Sequence, residues 1–189
     1  MRPFLAPALP CLRRLWWVLL ALVILTGATL AALADTPTLV NAGFEQVDEA
    51  TGLPRAWTAW TKPGLAAYTL AMAHSGAAAA RVTDDSPTGS QGLRCQPVPI
   101  EPGKTYEATV WVRITDLQAG GFALYLEYWK AGTRVQDTAV STGRVGEWTQ
   151  LKVRATAPAQ ATEATLLVYA SSATIGEAYY DDAALAPVP

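Results

Sequence analysis

Along residues 104–114, KTYEATVWVRI, apolar and polar side chains alternate almost without fault. Tyr106, Ala108, Val110, Val112 and Ile114 fall on one side, and Glu107, Thr109, Trp111 and Arg113 on the other. That period of two predicts a β-strand with one face buried, launched by the Pro102-Gly103 turn. Residues 122–129 repeat the pattern, setting Phe122, Leu124, Leu126 and Tyr128 against Ala123, Tyr125, Glu127 and Trp129. A turn over Lys130–Thr133 leads into a further strand near Arg134–Ser141. More strands are predicted at Trp148–Arg154, Glu163–Ala170 and Glu177–Leu185. Gly64–Arg81 is rich in alanine and helix-prone on propensity alone. His74-Ser75-Gly76 interrupts it and Tyr68-Thr69-Leu70 favours extended chain, so two short strands are expected there. Short strands between Pro, Gly, Asn and Asp turns predict an all-β antiparallel sandwich.

The first 34 residues break with this pattern. Arg2, Arg13 and Arg14 precede an apolar run from Leu15 to Leu33, and Ala32-Leu33-Ala34 precedes Asp35. A basic start, an apolar middle and an A-x-A site make a secretory signal, with cleavage after Ala34. The run is also close to the ~20 residues that span a bilayer, so an uncleaved single-pass anchor is the alternative. Two segments follow: residues 1–34 as signal or anchor, and residues 35–189 as one β-sandwich domain. The expected location is secreted or at the cell surface, with membrane contact only through an uncleaved N-terminal segment.

Charge and chemistry narrow the function by exclusion. Without the three N-terminal arginines, 11 basic side chains face 16 acidic ones. No basic stretch offers itself to nucleic acid or anionic lipid. Cys95 is the one cysteine beyond residue 34, so this domain forms no internal disulfide, and a buried thiol is its simplest reading. The single histidine, His74, precedes a Ser-Gly turn. No H-E-x-x-H, C-x-x-C, G-x-S-x-G or phosphate-binding glycine loop is present. Asp84-Asp85 and Asp181-Asp182 are adjacent pairs that cannot both face one cleft from a strand. Nothing argues for catalysis, and the domain is expected not to be an enzyme.

The polar sides of the two clearest strands suggest a binding face instead. If the strands are neighbours, Trp111, Arg113, Tyr125, Glu127 and Trp129 share one surface, with Gln150 and Tyr169 as walls. Aromatic rings cover the apolar face of a pyranose while Arg, Glu and Gln reach its hydroxyls. The competing reading is that Trp111 and Trp129 merely pack beneath a loop or a twisted strand.

Short motifs in order add a resemblance. Asn41-Ala42-Gly43-Phe44-Glu45 resembles the N-x-G-F-E opening of carbohydrate-binding modules of families four, nine and twenty-two. Trp57–Trp60, His74–Gly76, Pro102–Tyr106, Trp148–Leu151, Ala157-Pro158 and Tyr180–Leu185 continue it, spanning nearly all of residues 39–186. The resemblance implies a galactose-binding-like jelly roll, a polysaccharide or oligosaccharide partner and no catalysis. It also implies a structural calcium held by Glu45 and Asp181, with carbonyls near His74–Ala77 completing the six to eight oxygens a hard cation takes. The alternative at Asp181 is a buried acid satisfied by peptide N–H groups. The runner-up function is a structural or adhesive envelope protein that keeps the fold without a sugar site; an acid-only glycosidase is a distant third.

Overall fold

A computed structural model describes residues 37–60 and 65–189; the expected signal segment lies outside the described residues. Residues 36–189 form one structural unit. Its described part contains thirteen strands and no helix: β1 (Val47–Asp48), β2 (Leu53–Pro54), β3 (Trp57–Ala59), β4 (Ala66–Thr69), β5 (Ala79–Asp84), β6 (Gln91–Cys95), β7 (Val98–Pro99), β8 (Thr105–Ala119), β9 (Phe122–Lys130), β10 (Thr133–Thr142), β11 (Trp148–Thr156), β12 (Glu163–Ala170) and β13 (Ile175–Val188). The alanine-rich stretch supplies β4 and β5, as its turn residues predict.

One sheet runs β10-β9-β12-β6-β3, with β7 also on β12; the other runs β11-β8-β13-β5-β4. All pairings between strands are antiparallel. This is the antiparallel jelly-roll sandwich expected from the sequence. The inner faces are the apolar halves of the alternations: Tyr106, Val110, Val112 and Ile114 of β8 meet Phe122, Leu124, Leu126 and Tyr128 of β9, all at most 2% exposed. Two buried tyrosines fasten the layers. Tyr128 on β9 donates its hydroxyl to the Ala155 carbonyl on β11 at 2.7 Å, and Tyr180 on β13 donates to the Ala123 carbonyl on β9 at 3.2 Å. Each hydroxyl thereby avoids the penalty of unpaired burial.

The opening motif is a structural plug. Asn41 and Phe44 both take positive φ, a conformation asparagine tolerates better than most residues. The Asn41 side-chain amide donates to the Gln46 and Arg55 carbonyls and its oxygen accepts from the Gln46 N–H. Phe44 is thereby swung into the core, its ring 4.7 Å from that of Trp57.

One expectation fails at the level of topology. β8 and β9 are consecutive but belong to different sheets, so their outward faces lie on opposite sides of the sandwich. The Gly120-Gly121 connection crosses between layers. Gly120 has φ 72°, and a Cβ there would press on the Ala173 carbonyl and Thr174; one on Gly121 would meet the Thr142 carbonyl. The chain is threaded between these neighbours and does not fold back as a hairpin.

Candidate functional site

The seven residues expected to form one groove divide into two groups. Tyr125, Glu127 and Trp129 on β9 and Tyr169 on β12 face outward from the sheet containing β10, β9, β12, β6 and β3. Trp111 and Arg113 on β8 and Gln150 on β11 face outward from the other sheet. The shared surface therefore does not form, because strand alternation fixes which side of a sheet a residue faces but not which strands pair.

On the first face, Glu127 is 0% exposed, too deep to meet a sugar. Its carboxylate accepts from Arg94 Nε at 2.7 Å and Nη2 at 3.0 Å, from Arg134 Nη1 at 2.8 Å and from the Thr165 hydroxyl at 2.8 Å. Two guanidiniums and a hydroxyl thus satisfy one buried acid, the condition under which such burial is tolerated. Arg94 lies between two indoles, its guanidinium carbon 4.1 Å from the Trp60 ring centre and 5.0 Å from that of Trp129. Trp129 Nε1–H donates to Thr165 Oγ1 at 2.9 Å, so the network orients that ring as well. Glu127 is therefore the foundation of the aromatic platform, not a sugar contact. Trp60 and Arg94, both missed from sequence as site residues, complete it.

Beside this platform the face is hollow. One depression of ≈ 250 Å³ is lined by Trp60, Tyr125, Arg134, Asp137, Leu167 and Tyr169. A second of ≈ 280 Å³ includes Tyr125, Tyr169, Ala123, Ser141 and Ser171. Tyr125 and Tyr169 belong to both, and their rings meet edge to face at 5.5 Å. Burial and the neighbouring tyrosine push the Tyr125 phenol above its ordinary value, keeping it a neutral hydroxyl that both donates and accepts. Ring faces, hydroxyls and a compensated Arg134–Asp137 pair line one trough.

On the opposite face Trp111 is covered. The His74 ring stacks on it at 4.1 Å and 15°, and Trp148 meets His74 edge-on at 5.3 Å. His74 Nδ1 lies 2.7 Å from Asp182 Oδ2. This is the packing alternative, realised by the loop that carries His74. Gln150 is exposed and pairs in register with Trp111.

The same loop meets Glu45 and Asp181. Asp181 is 0% exposed and its Oδ2 accepts from the peptide N–H groups of His74 at 2.8 Å and Ser75 at 3.0 Å, while Oδ1 accepts from Asp182 N–H at 2.7 Å. Burial raises the Asp181 pKa, and these bonds offset part of the rise. Glu45 accepts from Ala77 N–H at 3.0 Å and Ala78 N–H at 3.4 Å. Gly76, at φ 63°, sits so close that any Cβ would land on Glu45 Oε1. The carboxylates of Glu45 and Asp181 thus accept from peptide N–H groups of the loop that carries His74, the arrangement set out above as the alternative at Asp181.

The fold has relatives among solved structures. The enzymatically active domain of bacteriophage CBA120 tailspike protein 4 superposes with TM-score 0.61 at 13% identity, over 80% of this chain and 21% of that one. The chain thus spans about a fifth of that solved domain. A family 16 carbohydrate-binding module gives 0.58 at 18% identity over 78% and 97% of the two chains. A family 22 xylan-binding domain from Paenibacillus barcinonensis gives 0.56 at 15% identity over 82% and 96%. Among curated proteins none matches by sequence. At these identities structural likeness establishes the fold alone. A family model described as carbohydrate binding domain, for families 4 and 9, matches residues 36–174. With that match over most of the sandwich, the chain belongs to the carbohydrate-binding domain family.

Proposed function

We propose that the trough on the β10-β9-β12-β6-β3 face binds a neutral polysaccharide chain outside the cell, without acting on it. The observation that carries this reading is the pair of contiguous depressions joined through Tyr125 and Tyr169. Their rings supply the apolar patches that a pyranose covers, and the phenols, Ser141, Ser171 and Asp137 supply hydroxyl partners. The charges along the trough compensate one another: Arg94 and Arg134 are paired through Glu127, and Arg134 also with Asp137. A neutral glycan of the β-linked glucan or xylan type suits such a surface. Of the relatives, the family 22 domain is described as xylan-binding. An open trough holds its ligand weakly, in the micromolar-to-millimolar range, about −4 to −8 kcal/mol. Secretion or surface display rests on the N-terminal segment.

The test is affinity electrophoresis and calorimetry of residues 35–189 against xylan and β-glucan. Tyr125→Ala and Tyr169→Ala are each expected to weaken binding at least tenfold while the melting temperature stays within about 3 °C. Unchanged retardation in both variants refutes the assignment of this face.

A further inference from the structure

Five arginines lie on the strands of the two sheets, and four of them have a carboxylate. Arg94 and Arg134 share Glu127, Arg154 pairs with Glu107, and Arg81 approaches Glu177 at 3.9 Å. Arg113 is the exception. It stands outward on β8, flanked in register by Trp148 of β11 and Tyr179 of β13. Its Nε is buried and has no partner, and among the described residues nothing forms a hydrogen bond, ion pair or ring contact with it. The acids nearby are committed elsewhere. Glu177 accepts from Thr83, Thr115 and Tyr179, and Asp181 is turned onto the peptide N–H groups of the His74 loop.

A half-buried guanidinium without an anion is costly, and the fork geometry of the group matches a carboxylate in two-point contact. Trp111 and Trp148 lie along the same face, and Arg81 stands one strand beyond Tyr179. We infer that Arg113 is the anchor of a second binding site, on the sheet opposite the trough, for a saccharide carrying a carboxylate. The guanidinium takes the carboxylate, and the Trp148 side supplies ring surface. A uronic acid within a polysaccharide has this chemistry. Because the domain is acidic overall, attraction to a polyanion must come from a local site and not from net charge.

The experiment compares polygalacturonate with neutral xylan in affinity electrophoresis of the wild-type domain, Arg113→Gln and Arg113→Lys. Wild type is expected to be retarded by polygalacturonate, and less so as salt rises. Both variants are expected to lose at least tenfold of that affinity, the lysine because it keeps the charge but not the fork. Retardation by xylan should be unchanged in both, which separates this site from the trough. Competition on wild type, with galacturonate against sulfate and acetate, supplies a measure independent of any folding defect. Wild-type binding of polygalacturonate by Arg113→Gln overturns the inference, as does a wild type that ignores acidic saccharides. Sulfate or acetate competing as well as galacturonate overturns the saccharide assignment.

Discussion

Replacing Glu127 with glutamine tests whether the aromatic platform rests on a buried charge. The glutamate takes four hydrogen bonds through two oxygens, from Arg94, Arg134 and Thr165. An amide keeps one acceptor oxygen and turns two N–H groups toward donors. Placed at Oε2, the amide nitrogen opposes Arg94 Nε; placed at Oε1, it opposes Arg94 Nη2 and Arg134 Nη1. The Thr165 hydroxyl can rotate to accept, but a guanidinium cannot. Breaking a buried ion pair costs about 3–5 kcal/mol. Arg134 is 41% exposed and can turn to water, and Arg94 is 20% exposed, so about 2–3 kcal/mol is expected here. For a domain of this size each kcal/mol moves the melting temperature by about 2–4 °C, giving a fall of about 4–12 °C. Thermal and urea unfolding of Glu127→Gln, Arg94→Gln and the double variant measure it. The coupling between the two sites is expected to exceed ~1 kcal/mol. A melting temperature within about 2 °C of wild type, with additive single effects, refutes the reasoning.

Trp111→Ala removes a ring stacked on His74, and for a half-buried tryptophan about 2 kcal/mol of stability should be lost in urea unfolding, while xylan retardation is kept. Asp181→Ala strands the N–H groups of His74, Ser75 and Asp182 and is expected to cost about 3 kcal/mol, read as a lower melting temperature in calcium and in chelator alike. A wild-type melting temperature that falls by several degrees on chelation would instead show that Glu45 and Asp181 hold a cation. Burial pushes the Cys95 thiol up to about 11, so it remains protonated at pH 8; a disulfide reagent should label it only after denaturation, and rapid labelling of the native domain counts against the packing.

The strands that the sequence makes legible are those whose two sides differ chemically. The starts of β8 and β9 follow from alternation to within a residue, because the inward side of each lies in the core. β6 and β3 are illegible for the opposite reason. Gln91-Gly92-Leu93-Arg94-Cys95 is buried at four of its five positions, so no exposed side remains to set a period. With β6 unseen, Arg94 had no face, and Trp60, one residue past β3, had no partner. Tyr125 is legible because it stands between the buried Leu124 and Leu126. The misplacement of Trp111 and Arg113 has a different source: two glycines between alternating strands look like a hairpin, and only the carbonyls of Ala173 and Thr142 pressing on them show a crossing.

β13 is the last strand in the chain, yet it is the middle strand of its sheet, between β8 and β5. Until residues 175–188 have been synthesised, that layer consists of β11-β8 and β5-β4, two halves with open edges facing a gap. The His74 loop waits as well, since Asp181, which gathers it, lies 107 residues further along. Assembly is therefore governed by the longest separations in the chain, the regime in which folding is slow. A chain truncated before Ile175 keeps every earlier strand, yet the layer that β13 joins stays split, with two unpaired edges open to other chains. For this domain the order of events in time is set by the final fourteen-residue strand.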